Sequence, residues 1–192
     1  MDISNLLDSN TQQTLVKNIS QKLGLNEDEA AKGISAGIPA ILAGLTKNAQ
    51  SPEGAESLDK ALESKHDGSL LDNLSGLLQG QPETLEQDGQ GILGHVFGNN
   101  KPKVEQGLAQ KTGISMSKIG PMLAMLAPIV MGFLGKQKRQ NNVSAGGLGG
   151  LLGGLLGGGQ KSGGIMGMVT GMLDKDGDGS VIDDVMGMFG KK

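Results

Sequence analysis

Acidic residues alternate along Asp174-Lys175-Asp176-Gly177-Asp178-Gly179-Ser180-Val181, the one stretch whose residue types and spacing suggest specific chemistry. A calcium ion takes six to eight oxygens, so a short loop that holds it must turn several carboxylates inward. Asp174, Asp176 and Asp178 at alternate positions do this. Gly179 permits the sharp turn that aims the Ser180 carbonyl at the ion, and Val181 is an apolar anchor beneath the loop. Ile165, Met168, Val169 and Met172 form a helical stripe before it, and Val181, Val185, Met188 and Phe189 form one after it. Asp184 extends the acidic set, and carboxylates this close repel one another unless a cation lies between them. The competing reading is an acidic, glycine-rich turn between two helices that binds no metal.

Over these eight residues the loop resembles the D-x-D-x-D-G core of an EF-hand or dockerin-type calcium loop. The departure is at the twelfth position, where that type brings a bidentate carboxylate and this chain has Val185. Asp183 and Asp184 stand two places and one place early, so Asp184 substitutes only if the exiting helix shifts by a residue. Without the bidentate ligand the expected affinity falls to the weak end, on the order of 10⁻⁴–10⁻³ M. Such loops usually occur in pairs. A single one leaves its Met-rich faces to dock on the rest of the chain or to dimerise.

Other chemistry is scarce. Among 192 residues there is no Cys, Trp or Tyr, which removes thiolate metal sites, Cys nucleophiles and most aromatic stacking platforms. The net charge of −3 argues against nucleic-acid binding. Charge is uneven, with 14 acids against 6 bases in residues 1–100 and 6 against 11 in 101–192. Of the two histidines, His66 lies in a polar turn, and His95 reads as structural, its imidazole bonded to a backbone group. Gly33-Ile34-Ser35-Ala36-Gly37 has the G-x-S-x-G spacing, but it lies inside a helical pattern with no strand before it and so makes no nucleophile elbow. Gly89-x-Gly91-x-x-Gly94 matches a dinucleotide fingerprint only on paper, because no strand precedes it. Enzyme activity is not expected. Met1-Asp2-Ile3-Ser4-Asn5 lacks the basic region and apolar core of a secretory signal, so the expected compartment is the cytoplasm.

The elements that would carry these residues are helical, and no stretch alternates as a strand. Leu15, Ile19 and Leu23 share a stripe that Gly24 can terminate. Asn26-Glu27-Asp28-Glu29 caps a second helix with apolar positions Ala30, Ile34, Ile38, Ile41, Leu42 and Leu45. Pro39, inside that pattern, predicts a kink or a split. Leucines 58 to 78 predict two short helices divided near His66-Asp67-Gly68. A shift of 89 residues lays Gln21–Leu45 over Gln110–Leu134 with five identities in 25 pairs, including Gly24 on Gly113 and Pro39 on Pro128. Duplication competes here with shared helical patterning.

Two segments bear on membranes and self-association. Ile119–Gly135 carries no charge over 17 residues, but Pro121 and Pro128 favour a buried central helix over a span. Gly146–Gly159 contains nine Gly and five Leu, with Gly146, Gly150, Gly154 and Gly158 at small-xxx-small spacing. It reads as a flexible linker, with a glycine zipper as the rival.

Asp88-Gly89-Gln90-Gly91-Ile92-Leu93-Gly94-His95-Val96-Phe97-Gly98 resembles the G-I-L-G-H-I-F-G signature of the bacterial domain-of-unknown-function 937 (YidB-like) family, with a likeness covering about residues 3–140. The resemblance implies an all-helical domain without established activity and carries no catalytic residue. The expected architecture is all-α: a helical domain over 1–140 with a candidate internal duplication, a Gly/Leu-rich linker over 141–164, and a C-terminal helix–loop–helix over 165–192. The leading functional reading is a non-enzymatic interaction or scaffold protein that binds Ca²⁺ weakly through Asp174, Asp176, Asp178, Ser180 and Asp184. Its partner would be a second copy or another protein. The alternative is a self-associating or membrane-contacting protein acting through 146–159 and 119–135. A hydrolase built on His95 is a remote third.

Overall fold

Asn26 begins the second helix as its sequence anticipates. Its Oδ1 accepts the Glu29 amide at 2.8 Å, and Glu29 Oε2 accepts the Asn26 amide at 2.9 Å. Two otherwise orphaned donors are thus satisfied reciprocally. The computed structural model describes residues 9–80 and 82–157. Along them run α1 (Ser9–Leu23), α2 (Glu27–Asn48), α3 (Pro52–Ser64), α4 (Ser69–Asp72), α5 (Leu74–Gly80), α6 (Pro82–Phe97), α7 (Lys101–Thr112), α8 (Met116–Gln140) and α9 (Leu148–Gly157). No strand occurs among the described residues. The predicted all-α class is the observed one.

Helix α8 is the centre. From Met122 to Gly135 every residue is buried, on all sides of the helix, with α2 and α6 as its main neighbours and α3, α4 and α7 around them. A helix apolar all round needs apolar surroundings, and here the protein itself supplies them. The uncharged run Ile119–Gly135 is therefore core, and 83% of the most apolar 18-residue stretch of α8 is buried inside the protein. Within the described residues this run packs against the protein's own helices.

Pro39 does not split α2, which continues from Glu27 to Asn48. The proline removes one helical hydrogen bond. Ile38, Ile41, Leu42 and Leu45, all buried around it, hold both halves against α8. Ser51 caps α3 through its hydroxyl, which accepts the Gly54 amide at 3.0 Å. The leucines beyond it form α3 and then two short helices, with the break after α3 where the His66-Asp67-Gly68 turn was expected.

The 89-residue register holds in the helices themselves. α1 ends at Leu23 and α7 at Thr112; α2 starts at Glu27 and α8 at Met116. Gly24 and Gly113 both close their helices with positive φ, at 58° and 77°. Asn26 and Ser115 are both extended N-caps, although Ser115 makes no side-chain capping bond. Lys118 links the two units, donating from Nζ to the Gly24 carbonyl at 2.7 Å.

The linker reading of 141–164 is corrected for its first part. Ala145–Gly147 is a 3₁₀ turn leading into α9, which packs on α2 and α3. Leu148, Leu152 and Leu155 fall on one stripe and are buried. Each helical glycine costs about 1 kcal/mol relative to Ala, and each buried leucine returns about 1.5–3 kcal/mol. With Leu151 and Leu156 also packed against the core, burial wins over propensity. The proposed calcium loop and its two flanking stripes lie outside the described residues, as does the N-terminal octapeptide.

Candidate functional site

None of Asp174, Asp176, Asp178, Ser180 and Asp184 lies among the described residues, so the geometry concerns polar groups that composition alone did not single out. The first cluster joins the end of α8 to α3. Lys138 is almost fully buried, its Nζ 2.6 Å from Glu63 Oε1 and 3.0 Å from Asp59 Oδ1. The hydrogen bond to Glu63 raises its proton affinity above that of an ordinary lysine, with help from Asp59 and against the effect of burial. One residue on, Arg139 Nη1 meets Asp67 Oδ2 at 3.2 Å. Asp67 also accepts from the Ser69 hydroxyl at 2.6 Å and the Ser69 amide at 3.0 Å. Those bonds, with Arg139 behind them, hold its carboxyl below the usual range.

These charges line a groove of about 580 Å³ between α3, the end of α8 and residues 142–145. Its cations are already engaged by its carboxylates. Such an arrangement closes the α3–α8 seam electrostatically and leaves little unspent charge for a ligand. Among the described residues no group of three His, Cys, Asp or Glu could hold a metal ion.

The second feature is His66, in the turn after α3. It is 4% exposed, with Nδ1 3.8 Å from Asp88 Oδ2 on α6. Burial lowers its basicity first, Asp88 partly restores it, and Lys65 lowers it again. The polar flanks of His66 mark the turn but not its burial. The missed signal is Gly135, since a side chain there would collide with the His66 carbonyl oxygen, so the turn lies directly on α8.

His95 differs from its expected role. It is exposed in the last turn of α6, and the bond in its region runs through the main chain: Asn48 Nδ2 donates to the carbonyls of His95 at 3.2 Å and Val96 at 3.3 Å. The signature stretch explains itself once wound as a helix. Gly89, Leu93, Val96 and Phe97 face inward, whereas Gly91, Gly94 and His95 face out. A Cβ on Gly89 would strike the Ala124 carbonyl oxygen, so this glycine sets how closely α6 approaches α8. The Gly89/Gly91/Gly94 spacing sits mid-helix, where amide groups are engaged in the helix ladder and form no phosphate cradle.

The profile of the bacterial proteins of unknown function called DUF937 matches residues 5–137. The chain belongs to the DUF937 family. That match takes in α1 to α7 and nearly all of α8, whereas α9 and the acidic loop lie beyond it. No curated protein and no solved structure matches the chain. The DUF937 region thus accounts for most of the core, to which α9 adds Leu148, Leu152 and Leu155, and the family assignment brings no established activity with it.

Proposed function

We propose that this DUF937 protein is a non-enzymatic interaction module, with the helical bundle as scaffold and the segment after α9 as a weak Ca²⁺ site. The observation that carries the reading is the alternation of Asp174, Asp176 and Asp178 ahead of Gly179. Asp174, Asp176 and Asp178 supply side-chain oxygens, Ser180 its carbonyl, and Asp184 a further carboxylate where the exit helix allows. The bundle supports a scaffold role because its buried charges neutralise one another. Met116 is the one large hydrophobic residue exposed among those described. In the cytoplasm, an affinity of about 10⁻⁴–10⁻³ M would leave the loop mostly empty, so occupancy would report an unusual local rise in calcium.

The test is a calcium titration of the full chain followed by NMR at the Gly179 amide, with magnesium as control. A saturable, calcium-selective downfield shift that Asp174→Ala abolishes supports the site. No shift up to about 10 mM, well above the weak range, overturns it.

A second reading rests on α9. Cβ atoms added at Gly146, Gly150 or Gly154 would meet nothing within 4 Å. That open face supports self-association between copies. Sedimentation that is concentration-dependent in the parent and lost in Gly150→Leu, with chelator making no difference, would favour it over calcium.

A further inference from the structure

His66 is held in a way that closing the core alone does not require. Asp59 Oδ1 and His66 Nδ1 are the buried side-chain atoms without an aligned hydrogen-bond partner among the described residues. Asp59 has the Lys138 ammonium 3.0 Å away in compensation. His66 Nδ1 has only the Asp88 carboxylate at 3.8 Å, too far for a hydrogen bond. Its main chain is pinned at the same time, since the carbonyl lies against Gly135 and the amide donates to Ala61 at 3.1 Å. Three elements therefore meet at one residue, with Asp88 of α6 facing the ring and Gly135 of α8 against the main chain of the turn after α3.

We propose that His66 is an acid-responsive latch, which as a neutral wedge seals residues 65–80 against α6 and α8 and on protonation releases that arm from the core. The charges around it give the direction. On α6, Asp88 favours the proton; on the turn itself, Lys65 opposes it. On α8, Lys138 is occupied by Asp59 and Glu63 of α3, and Arg139 by Asp67. Lys136 packs its stem against Gly68, and α4 brings Asp72. Among the described residues the carboxylate placed beside the ring is that of Asp88, at 3.8 Å, beyond hydrogen-bond reach. Burial, the largest influence on His66, disfavours the charged form. An opened arm then binds a proton that the closed arm resists. The sign follows: His66 supports closure fully above about pH 6.5, its ordinary value, and that support is lost as pH falls through and below it. With one proton taken up on opening, the opening constant rises by at most about tenfold per pH unit.

The experiment uses the full chain. Amide hydrogen exchange, corrected for its intrinsic pH dependence, is followed from pH 7.5 to 5 alongside an NMR titration of the His66 ring. With only two histidines, His95→Gln assigns the signal. The expected result is a His66 titration below the ordinary value of about 6.5. Amides of 66–78 should open progressively more with acid, while those of α2 and α8 change less. His66→Phe should flatten the arm's pH slope, and Asp88→Asn should move the ring titration lower still. A ring that titrates at or above the ordinary value, an arm slope unchanged in His66→Phe, or uniform opening of the whole bundle would each overturn the latch. Should His66→Phe fail to fold, Asp88→Asn decides, because a ring titration that stays or moves upward rules the mechanism out.

Discussion

Gly89 and Gly91 are two residues apart on one helix and have opposite duties. Gly89 lies where α6 touches the α8 backbone, and Gly91 has open space around it. Gly89→Ala should destabilise the protein by about 3 kcal/mol, because the clash is with a carbonyl that no rotamer change can move. Gly91→Ala should stabilise it by about 0.5–1 kcal/mol through helix propensity alone. Urea denaturation of the two variants checks both, and equal effects would refute the assignment. A similar contrast applies at Lys138. Lys138→Met leaves Asp59 without its partner and should cost about 1–3 kcal/mol, readable as a lower denaturation midpoint. Little of this residue-level chemistry is legible in one sequence. Local composition reads His66 as part of a polar turn and His95 as anchored through its ring, whereas the His66 main chain lies against Gly135 and the His95 main chain against Asn48, both tens of residues away.

At the level of elements, local signals carried furthest. The box between Asn26 and Glu29 is written within four residues and appears as expected. The 89-residue register is legible because Gly24 and Gly113 stop their helices by the same backbone conformation. Where a long-range contact competes with a local preference, local reading fails. Pro39 predicts an interruption, and buried neighbours carry α2 through it. The glycines of α9 predict a linker, and a leucine stripe docked on α2 and α3 makes a helix. Leu152→Ala should therefore cost about 2–5 kcal/mol, the range for a buried leucine rather than for a linker residue. Gly150→Ala should gain up to about 1 kcal/mol on the exposed side of the same helix. Thermal unfolding of the two variants distinguishes a docked helix from a tether, since a tether predicts no loss for either.

At the scale of the whole molecule, the helices from α1 to α9 cover one core, and large apolar side chains are spent inside it. A chain ended after Gly157 should consequently fold with a melting temperature within about 4 °C of the full protein, a shift equivalent to 1 kcal/mol or less at this size. A much larger loss would mean that the C-terminal segment completes the core, and would weaken the division between scaffold and calcium loop. The all-α class was readable because it rests on helical patterning over more than a hundred residues, and the family because the stretch Asp88–Gly98 is unusual. The role of the acidic loop rests on eight.

The central position of α8 also bears on how the protein is made. The apolar face of α2 is complete once residue 48 has been synthesised, but the helix it packs against is finished only at residue 140. At about 5–20 residues per second, roughly 5–20 s separate the two on the ribosome. During that interval Ile38, Ile41, Leu42 and Leu45 lack α8, the helix against which α2 packs most extensively. A nascent chain of this protein should therefore engage holding chaperones until α8 emerges and release them abruptly afterwards. Ribosome-bound chains stopped at successive lengths would show that step, whereas gradual release would indicate that the N-terminal helices fold on their own. The helix that the described core is built around is thus among the last of its elements to be made.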